Sequence, residues 1–296
     1  KAAGVDEVTF EEYEMYLNTN IQKLVKRMKT GKYYPQPVRR AYISKGEGKF
    51  RPLGIPAMED KIVQMGVARI LNAIFEPNFL DCSYGFREGR SCHQALKQLD
   101  NTIMTKPVNH IIDADIRGFF DNVEHEWLMK MLKQKIADKN FLKIIVRFLK
   151  AGVMEEGKIL PTEEGTPQGG IISPVLSNVY LHYVLDLWVE KVVKREMQGY
   201  VDLVRYCDDF VVLVQYKEEA GQILLLLEER LNKFGLDLAK EKTRAIEFGR
   251  YARINAERIG RKPDSFDFLG FTHYCDKSRK GNFKVGRKTR RKKFNA

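Results

Sequence analysis

The chain has 296 residues, which allow one large core or two modest ones. Its 51 Lys and Arg against 39 Asp and Glu give a net charge of +12, which favours a polyanionic partner, with nucleic acid first and an anionic membrane surface second. No run of 18 apolar residues exists, which excludes a membrane-spanning helix, and the four cysteines lack the Cys-x-x-Cys spacing of a zinc knuckle or a disulfide framework.

The N-terminal third is predicted to hold helices around a basic hairpin. Thr9 and Glu12 have the spacing of a capping box, and a helix is predicted over 10–30. Residues 39–55 have the pattern of two extended segments around a glycine-rich turn and carry five Lys or Arg. Ser91 and Gln94 cap a further helix. The chain begins at Lys1 without Met or an apolar signal segment, so we expect a cytoplasmic protein given as a fragment of a longer one.

The remainder alternates strands and helices. Apolar periodicity predicts a short strand that ends near 115, followed by a series of helices and extended segments. These are a helix over 127–150, a helix from Ser173 to about 193, strands over 201–214, a helix over 222–234 and an extended return over 236–248. This order predicts an α+β fold with helices on one face of a sheet. From 276 the chain is polar and basic, and we expect it to be weakly ordered.

Asp208 and Asp209 lie at a turn between two apolar runs. Adjacent carboxylates about 4 Å apart repel by about 4 kcal/mol at an effective dielectric near 20, and a divalent cation reverses the sign. Asp115, at the end of another short strand, is the predicted third carboxylate, although Asp113 on the same strand face competes with it. Such a set holds two metal ions for in-line displacement at phosphorus, whereas the alternative is an ordinary Asp-rich surface turn.

Several short blocks, in order, carry a family resemblance. The sequence resembles the reverse-transcriptase domain of bacterial group II intron-encoded proteins, the maturases, over 4–271. The matching blocks are Arg-Pro-Leu-Gly-Ile-Pro (51–56), Tyr-Gly-Phe-Arg (84–87), Gly-Arg-Ser (89–91), Ala-Asp-Ile (114–116), Phe-Phe-Asp (119–121), Thr-Pro-Gln-Gly-Gly (166–170), Ser-Pro (173–174), Tyr-Cys-Asp-Asp (206–209) and Phe-Leu-Gly-Phe (268–271). The family commonly carries Ala where this chain has Cys207.

The resemblance implies a right-hand polymerase fold of the α+β class. It implies fingers over 1–108 and 122–165, and a palm over 109–121 and 166–275 whose antiparallel sheet is backed by helices. It also implies that 276–296 is the basic start of a truncated thumb.

The resemblance implies a metal site as well. Asp115, Asp208 and Asp209 match the family's catalytic, metal-binding carboxylates, and the Ile116 carbonyl matches a further ligand. The implied cofactor is a pair of Mg²⁺ ions, for which Mn²⁺ can substitute.

Four residues match family positions around the incoming nucleotide. Lys45 and Arg51 match the basic finger residues that contact the triphosphate, and their alternative is a solvated basic hairpin. Gln168 matches a position that lines the nucleotide pocket, and its alternative is an ordinary loop before a helix. Phe120 matches the steric gate that fills the space of a ribose 2′-hydroxyl, although a Phe in this pattern is more often a core residue, as we expect for Phe119.

Other matches have a plain structural alternative. Lys242 matches a Lys that assists the leaving pyrophosphate, or is a surface Lys. Residues 268–271 match the turn that grips the primer, or form a simple hairpin. Arg87 and Arg90 match positions beside the template or finger surface, or pair with nearby acids such as Asp81.

The resemblance implies an RNA-directed DNA polymerase that transfers nucleotides from dNTPs to a primer 3′-hydroxyl on an RNA template. The implied partners are group II intron RNA and an RNA template with a DNA primer, in a bacterial cytoplasmic ribonucleoprotein that splices and mobilises the intron. Two alternatives stay open. One is an RNA-directed RNA polymerase, because the same carboxylates serve either sugar, and the other is an RNA-binding splicing cofactor in which polymerisation is secondary.

Overall fold

The computed structural model describes residues 2–44, 48, 50–155, 157–161, 164–166 and 169–290. In these ranges the helices are α1 (Phe10–Met15), α2 (Leu17–Lys29), α3 (Met58–Phe75), α4 (Cys92–Thr105), α5 (His125–Leu132), α6 (Lys139–Leu149), α7 (Ser173–Leu181), α8 (Lys194–Glu196), α9 (Lys217–Asn232) and α10 (Ala252–Arg258). Two π-helical segments, His182–Asp186 and Val189–Val193, lie between α7 and α8, so the chain is helical throughout 173–196.

The strands pair almost entirely in antiparallel fashion. They are β1 (Val38–Ser44), β2 (Phe50–Ile55), β3 (His110–Ala114), β4 (Ile116–Arg117), β5 (Val153–Glu155), β6 (Lys158–Leu160), β7 (Val201–Tyr206), β8 (Asp209–Val214), β9 (Asp237–Leu238), β10 (Arg244–Glu247), β11 (Ser265–Phe268), β12 (Phe271–Lys277) and β13 (Phe283–Thr289). Helices and antiparallel sheets together confirm the predicted α+β class. Among the described residues, no helix combines the length and the apolar character that a membrane crossing requires.

The chain divides into two compact units. One comprises Lys1–Pro77 and Phe120–Val179, and the other comprises Asn78–Phe119 and Tyr180–Ala296. Each unit is therefore assembled from two separate stretches of sequence.

The first unit holds the predicted basic hairpin. Strands β1 and β2 pair with Arg39 opposite Ile55, and β5 and β6 extend this sheet in the order β2-β1-β5-β6. Thr9 and Glu12 form the predicted capping box at the start of α1. The hairpin and the cap are confirmed, whereas Lys45 lies outside the described residues.

Two helices that the sequence predicts as single are each divided. The helix predicted over 10–30 breaks at Tyr16, which ends α1 and precedes α2. The helix predicted over 127–150 is α5 followed by α6, because the Asp138 carboxylate accepts hydrogen bonds of 2.8 and 3.1 Å from two backbone N–H groups of α6. A side-chain acceptor of this kind stabilises a new helix start, so periodicity alone overestimated the helix length.

The second unit is built on a four-stranded antiparallel sheet in the order β10-β3-β8-β7. Val211 and Leu213 of β8 pack in one cluster with Leu99 of α4. The intervening Val212 is equally buried, and α9 contacts β3, β8 and β10. Because successive strand side chains point to opposite faces, the sheet is covered on both faces. The expectation of helices on one face only was wrong.

The basic segment after 276 is ordered as far as residue 290. Strand β13 pairs with β12 along seven residues, from Phe271 opposite Thr289 to Lys277 opposite Phe283. The expectation of weak order was wrong for this part, because backbone pairing and the packing of Val285 against the core do not depend on a low charge density. Residues 291–296 lie outside the described residues.

Candidate active site

The hairpin of β7 and β8 presents the acidic turn. Tyr206 pairs with Asp209 across the hairpin, so Cys207 and Asp208 form a two-residue turn. Cys207 has a φ of 60°, in the left-handed region that residues with a side chain rarely adopt. The strands on either side are buried, which fixes the position of the turn at the edge of the core.

Asp115 reaches the same place from the neighbouring strand. It follows β3, whose last residue, Ala114, pairs with Phe210 of β8. Asp113, Asp115, Asp208 and Asp209 all line one groove with a volume of about 440 Å³. The structure therefore brings the three predicted carboxylates together, and it places the competing Asp113 beside them.

Basic side chains in the groove are each paired with a carboxylate. Lys242 Nζ lies 2.5 Å from Asp115 Oδ2, and Arg244 Nε lies 3.7 Å from Asp113 Oδ2. A third pair joins Arg290 Nε to Asp267 Oδ2 at 2.8 Å. The lining residues thus include five carboxylates and three basic side chains, a difference of two negative charges.

Burial within this acidic groove shifts two pKa values upward. Burial of its carboxylate raises the pKa of Asp209 to about 7, and the charges of Asp208, Asp113 and Asp115 act in the same direction, against a hydrogen bond from the Leu269 backbone. Although the Asp209 residue as a whole is exposed, its carboxylate lies among the other acids of the groove, and their charges reinforce the upward pKa shift that burial causes.

The pKa of Asp113 is likewise raised, to about 6, by burial. The nearby Arg244 opposes this rise, whereas Asp267 and Asp115 add to it. Both carboxyl groups therefore lie in surroundings where their charged form lacks full compensation by the protein.

The donor set and the charge of the groove fit a divalent cation, since carboxylate oxygens are the ligands that Mg²⁺ prefers. In the described part of the chain, however, no three His, Cys, Asp or Glu side chains are already gathered around one point as a metal cage. The Lys242 ammonium compensates Asp115 instead. An ion bound by all three predicted carboxylates would compete with the Lys242 ammonium for the negative charge of Asp115.

The remaining predicted site residues lie in different settings. Ile116 is buried in β4, at 3% exposure. Arg51 is exposed on β2 of the first unit. Phe120 is buried, and its carbonyl accepts a hydrogen bond of 2.7 Å from the Thr166 N–H. Gln168, like Lys45, lies outside the described residues. The roles predicted for these residues stay predictions.

Phe119 is a core residue, as predicted. It is 2% exposed and packs edge-to-face against Tyr180 with ring centroids 6.4 Å apart.

Of the two predicted arginines, Arg90 pairs with an acid, the alternative stated for both, whereas Arg87 binds backbone carbonyls instead. Arg87 is buried and donates to the carbonyls of Leu80 and Ser83 at 2.7 and 2.8 Å. Arg90 pairs with Asp81 at 2.5 Å. Both side chains therefore hold the segment before α4 in place.

Sequence reasoning missed three residues of the groove. Arg244, Asp267 and Arg290 come from β10, from β11 and from the residue after β13, and they enter the groove only because of the order of the strands. The turn at Leu269 and Gly270, predicted to grip the primer, also lines the groove, with φ values of 50° and 84°. No local signal in the sequence marks the three charged residues.

Comparison with known proteins agrees with these observations. The sequence matches the reverse transcriptase (RNA-dependent DNA polymerase) family over residues 43–273. It is 35% identical to the group II intron-encoded protein LtrA of Lactococcus lactis subsp. cremoris over 264 residues, which are 85% of this chain and 44% of that protein. It is 32% identical to the protein YkfC of Escherichia coli K12, covering 95% of this chain and 78% of that protein. The chain thus spans less than half the length of LtrA.

The fold resembles that of a solved telomerase. The structure of telomerase from Candida albicans in complex with a fragment of telomeric RNA aligns with a TM-score of 0.60 at 16% identity, over 89% of this chain and 48% of that one. The fold, the ordered sequence blocks and the family match all agree. The chain belongs to the reverse transcriptase (RNA-dependent DNA polymerase) family, as a domain of the type found in group II intron-encoded proteins.

Proposed function

We propose that this chain catalyses RNA-directed DNA synthesis, transferring deoxynucleotides from dNTPs to the 3′-hydroxyl of a primer paired with an RNA template. The single observation that carries the proposal is the groove in which Asp115, Asp208 and Asp209 meet, with two more carboxylates than basic side chains. Nucleotidyl transfer is an in-line displacement at phosphorus, and a carboxylate groove that attracts divalent cations is suited to it.

The proposed cofactor is a pair of Mg²⁺ ions, with Mn²⁺ as a substitute. Asp115, Asp208 and Asp209 would hold them, with the Ile116 carbonyl as a further ligand. When bound, such ions neutralise the triphosphate, lower the pKa of the primer hydroxyl and stabilise the pyrophosphate. The protein contributes the positions of the carboxylates, which the paired strands β3 and β8 fix.

We propose fingers over 1–108 and 122–165, which include the basic hairpin, and a palm over 109–121 and 166–275. In this assignment Lys45 and Arg51 bind the triphosphate, Gln168 lines the nucleotide pocket and Phe120 excludes a 2′-hydroxyl. Gly169 supports a close approach of backbone in this segment, because a side chain there would lie 2.8 Å from the Gly54 carbonyl.

The proposed partner is group II intron RNA, in a bacterial ribonucleoprotein that splices and mobilises the intron. The net charge of +12 supports a polyanionic partner. The 35% identity to a group II intron-encoded protein supports the choice of intron RNA.

Primer extension on an RNA template, with dNTPs and NTPs in separate reactions, tests the proposal. The wild-type chain is expected to extend with dNTPs and Mg²⁺, and not with NTPs. Extension with NTPs at equal efficiency would favour an RNA polymerase, and no extension with either pool would reject polymerisation.

Neutralising the acidic turn separates catalysis from RNA binding. Asp208→Asn with Asp209→Asn is expected to abolish extension while RNA affinity persists or rises, because negative charge is lost. The matched control is Asp237→Asn with Asp264→Asn, which changes the net charge equally at two exposed residues outside the groove. If both double variants extend primers equally, the groove is not the catalytic site.

The sugar gate has its own test. Phe120→Ala is expected to admit ribonucleotides at a higher rate relative to deoxynucleotides, whereas Phe119→Ala, at the core residue beside it, is expected to lower stability without this change of selectivity. Unchanged sugar selectivity in Phe120→Ala would show that Phe120 is a core residue only.

A further inference from the structure

We propose that Arg205 is a positioning residue that holds the acidic turn in its working shape, a role that rests on the proposed function. Arg205 lies on β7, three residues before Asp208, and its side chain has 0% exposure. It donates hydrogen bonds in three directions, and one of them goes to the turn itself.

The guanidinium uses all three of its nitrogens. Nε and Nη2 donate to the two carboxylate oxygens of Asp186, each at 2.6 Å. Nη2 also donates to Ser83 Oγ at 2.7 Å, and Nη1 donates to the Cys207 carbonyl at 2.8 Å. The planar fork of Arg matches a carboxylate in this bidentate way, so Asp186 fixes the plane of the guanidinium. The remaining nitrogen is then aimed at Cys207.

The Cys207 carbonyl is the point at which a hydrogen bond controls the turn. Cys207 has a left-handed φ of 60°, a conformation that persists only where the surroundings hold it. Its carbonyl belongs to the rigid peptide group that leads to Asp208. Fixing that oxygen therefore fixes the plane of the peptide and the direction in which the Asp208 side chain leaves the backbone.

Stability alone does not account for a buried pair of this kind. Replacing a buried ion pair by apolar residues of similar volume is often neutral or stabilising, because two charges must be removed from water to form the pair. A geometric role for Arg205 and Asp186 explains why two charges lie within the core directly behind the turn.

The segment that contains Ser83 supports the turn from the same side. It runs parallel to β7, with the Arg205 N–H donating to the Cys82 carbonyl at 2.8 Å and the Tyr84 N–H donating to the Arg205 carbonyl at 2.9 Å. Gly85 then packs directly on Cys207, where an added Cβ would lie 2.3 Å from Sγ. Arg205 is thus held at its backbone as well as at its side chain.

Asp186 is itself placed by an irregular helix. It ends the π-helical segment His182–Asp186, a type of distortion that is frequent at functional sites. Arg230 of α9 donates to the carbonyls of Tyr183 and Val184, both at 2.9 Å, within the same segment. Arg230 therefore contacts the helix that carries Asp186 without touching the turn, which makes it a matched control.

Three variants test the proposal, each compared with the wild type in primer extension, in Mn²⁺ titration followed by electron paramagnetic resonance, and in urea unfolding. Arg205→Met with Asp186→Leu removes both charges together, so neither is left buried alone. Arg205→Lys keeps the charge beside Asp186 but lacks the fork that reaches Cys207 at the same time. Arg230→Met removes another Arg of the same unit, one that donates to backbone carbonyls of the helix carrying Asp186.

If Arg205 positions the turn, both Arg205 variants lower kcat by about 10- to 100-fold and weaken Mn²⁺ binding by a similar factor, as is typical for groups that orient metal ligands. The KM for primer and template stays within about 2-fold of the wild-type value, since the variants leave unchanged the contacts that bind the ground state and the transition state equally. Arg230→Met leaves kcat and Mn²⁺ affinity at the wild-type values.

The proposal is overturned if Arg205→Lys has wild-type kcat and Mn²⁺ affinity, because charge compensation would then suffice. It is also overturned if the double variant folds and keeps both values. If the double variant does not fold, Arg205→Lys alone decides. A wild-type chain that binds Mn²⁺ but extends no primer would reject the proposed function, while the Mn²⁺ comparison would still test the positioning role.

Discussion

Gly85 packs directly behind the acidic turn, and its replacement by Ala has a defined cost. An added Cβ would lie 2.3 Å from Cys207 Sγ and 2.4 Å from the Cys207 backbone nitrogen, whereas ordinary contact begins at 3.4 Å. Relief would require a shift of about 1 Å, and part of it must come from backbone. Overpacking of this kind costs about 1–3 kcal/mol of unfolding free energy.

The same shift predicts a catalytic effect. Because a displacement of about 1 Å at a reacting centre costs about 100-fold in rate, we expect Gly85→Ala to lower kcat by one to two orders of magnitude. Urea unfolding gives the free energy, and primer extension gives kcat.

Cys207→Ala supplies the control, since it removes Sγ and leaves the backbone nitrogen in place. In the double variant Gly85→Ala with Cys207→Ala, stability and kcat should recover only in part. Full recovery would show that the backbone contact is harmless, and a Gly85→Ala variant within about 0.5 kcal/mol of the wild type would refute the argument that the turn cannot move.

Three further predictions concern pH, an ion pair and salt. Burial lowers the pKa of His273 to about 4, so between pH 7.5 and pH 5 the unfolded state gains a proton that the native state does not. Over this range the free energy of unfolding should fall by about 2 kcal/mol more in the wild type than in His273→Phe. An equal change in the urea unfolding curves of both proteins would contradict this. Lys242→Ala should change the free energy of unfolding by less than about 1 kcal/mol, because the side chains of Lys242 and Asp115 are 63% and 41% exposed. The same variant should bind Mn²⁺ more tightly than Lys242→Arg does, because a positive charge beside Asp115 is lost. Weaker Mn²⁺ binding would contradict the competition between Lys242 and the metal. RNA affinity should fall steeply with salt: in a plot of log affinity against log salt concentration, each contacted phosphate should contribute about −0.7 to −0.9 to the slope. A shallow slope would argue against RNA binding through the basic surface.

Local signals in the sequence predicted much of the fold. Both capping boxes form as their spacing indicates, at Thr9 and at Ser91. Strand β1 also pairs with β2, and β7 with β8, where turn residues separate two extended segments of the sequence. These features depend on neighbours within a few residues, so one sequence is enough to recognise them.

Features that depend on distant partners escaped sequence reasoning. Strand β13 carries so many basic residues that composition indicated disorder, yet it forms because β12 offers an unpaired edge. Arg205 has the pattern of an ordinary strand residue, and only the packing of the helix that carries Asp186 reveals a buried ion pair. In the groove, the three Asp could be predicted, whereas Arg244 and Arg290 required the order of the strands.

The charge balance of the groove bears on how many cations it can hold at once. Counted at formal charge, the five carboxylates and three basic side chains that line the groove leave an excess of two negative charges, which one divalent cation neutralises. A second ion would need further negative charge, and the triphosphate of an incoming nucleotide supplies it. We therefore expect Mn²⁺ titrations to give one tightly bound ion in the chain alone and two when a non-hydrolysable dNTP analogue is present. Two tightly bound ions without nucleotide would show that Lys242 leaves Asp115 readily, and that the ion pair has little influence on the occupancy of the groove.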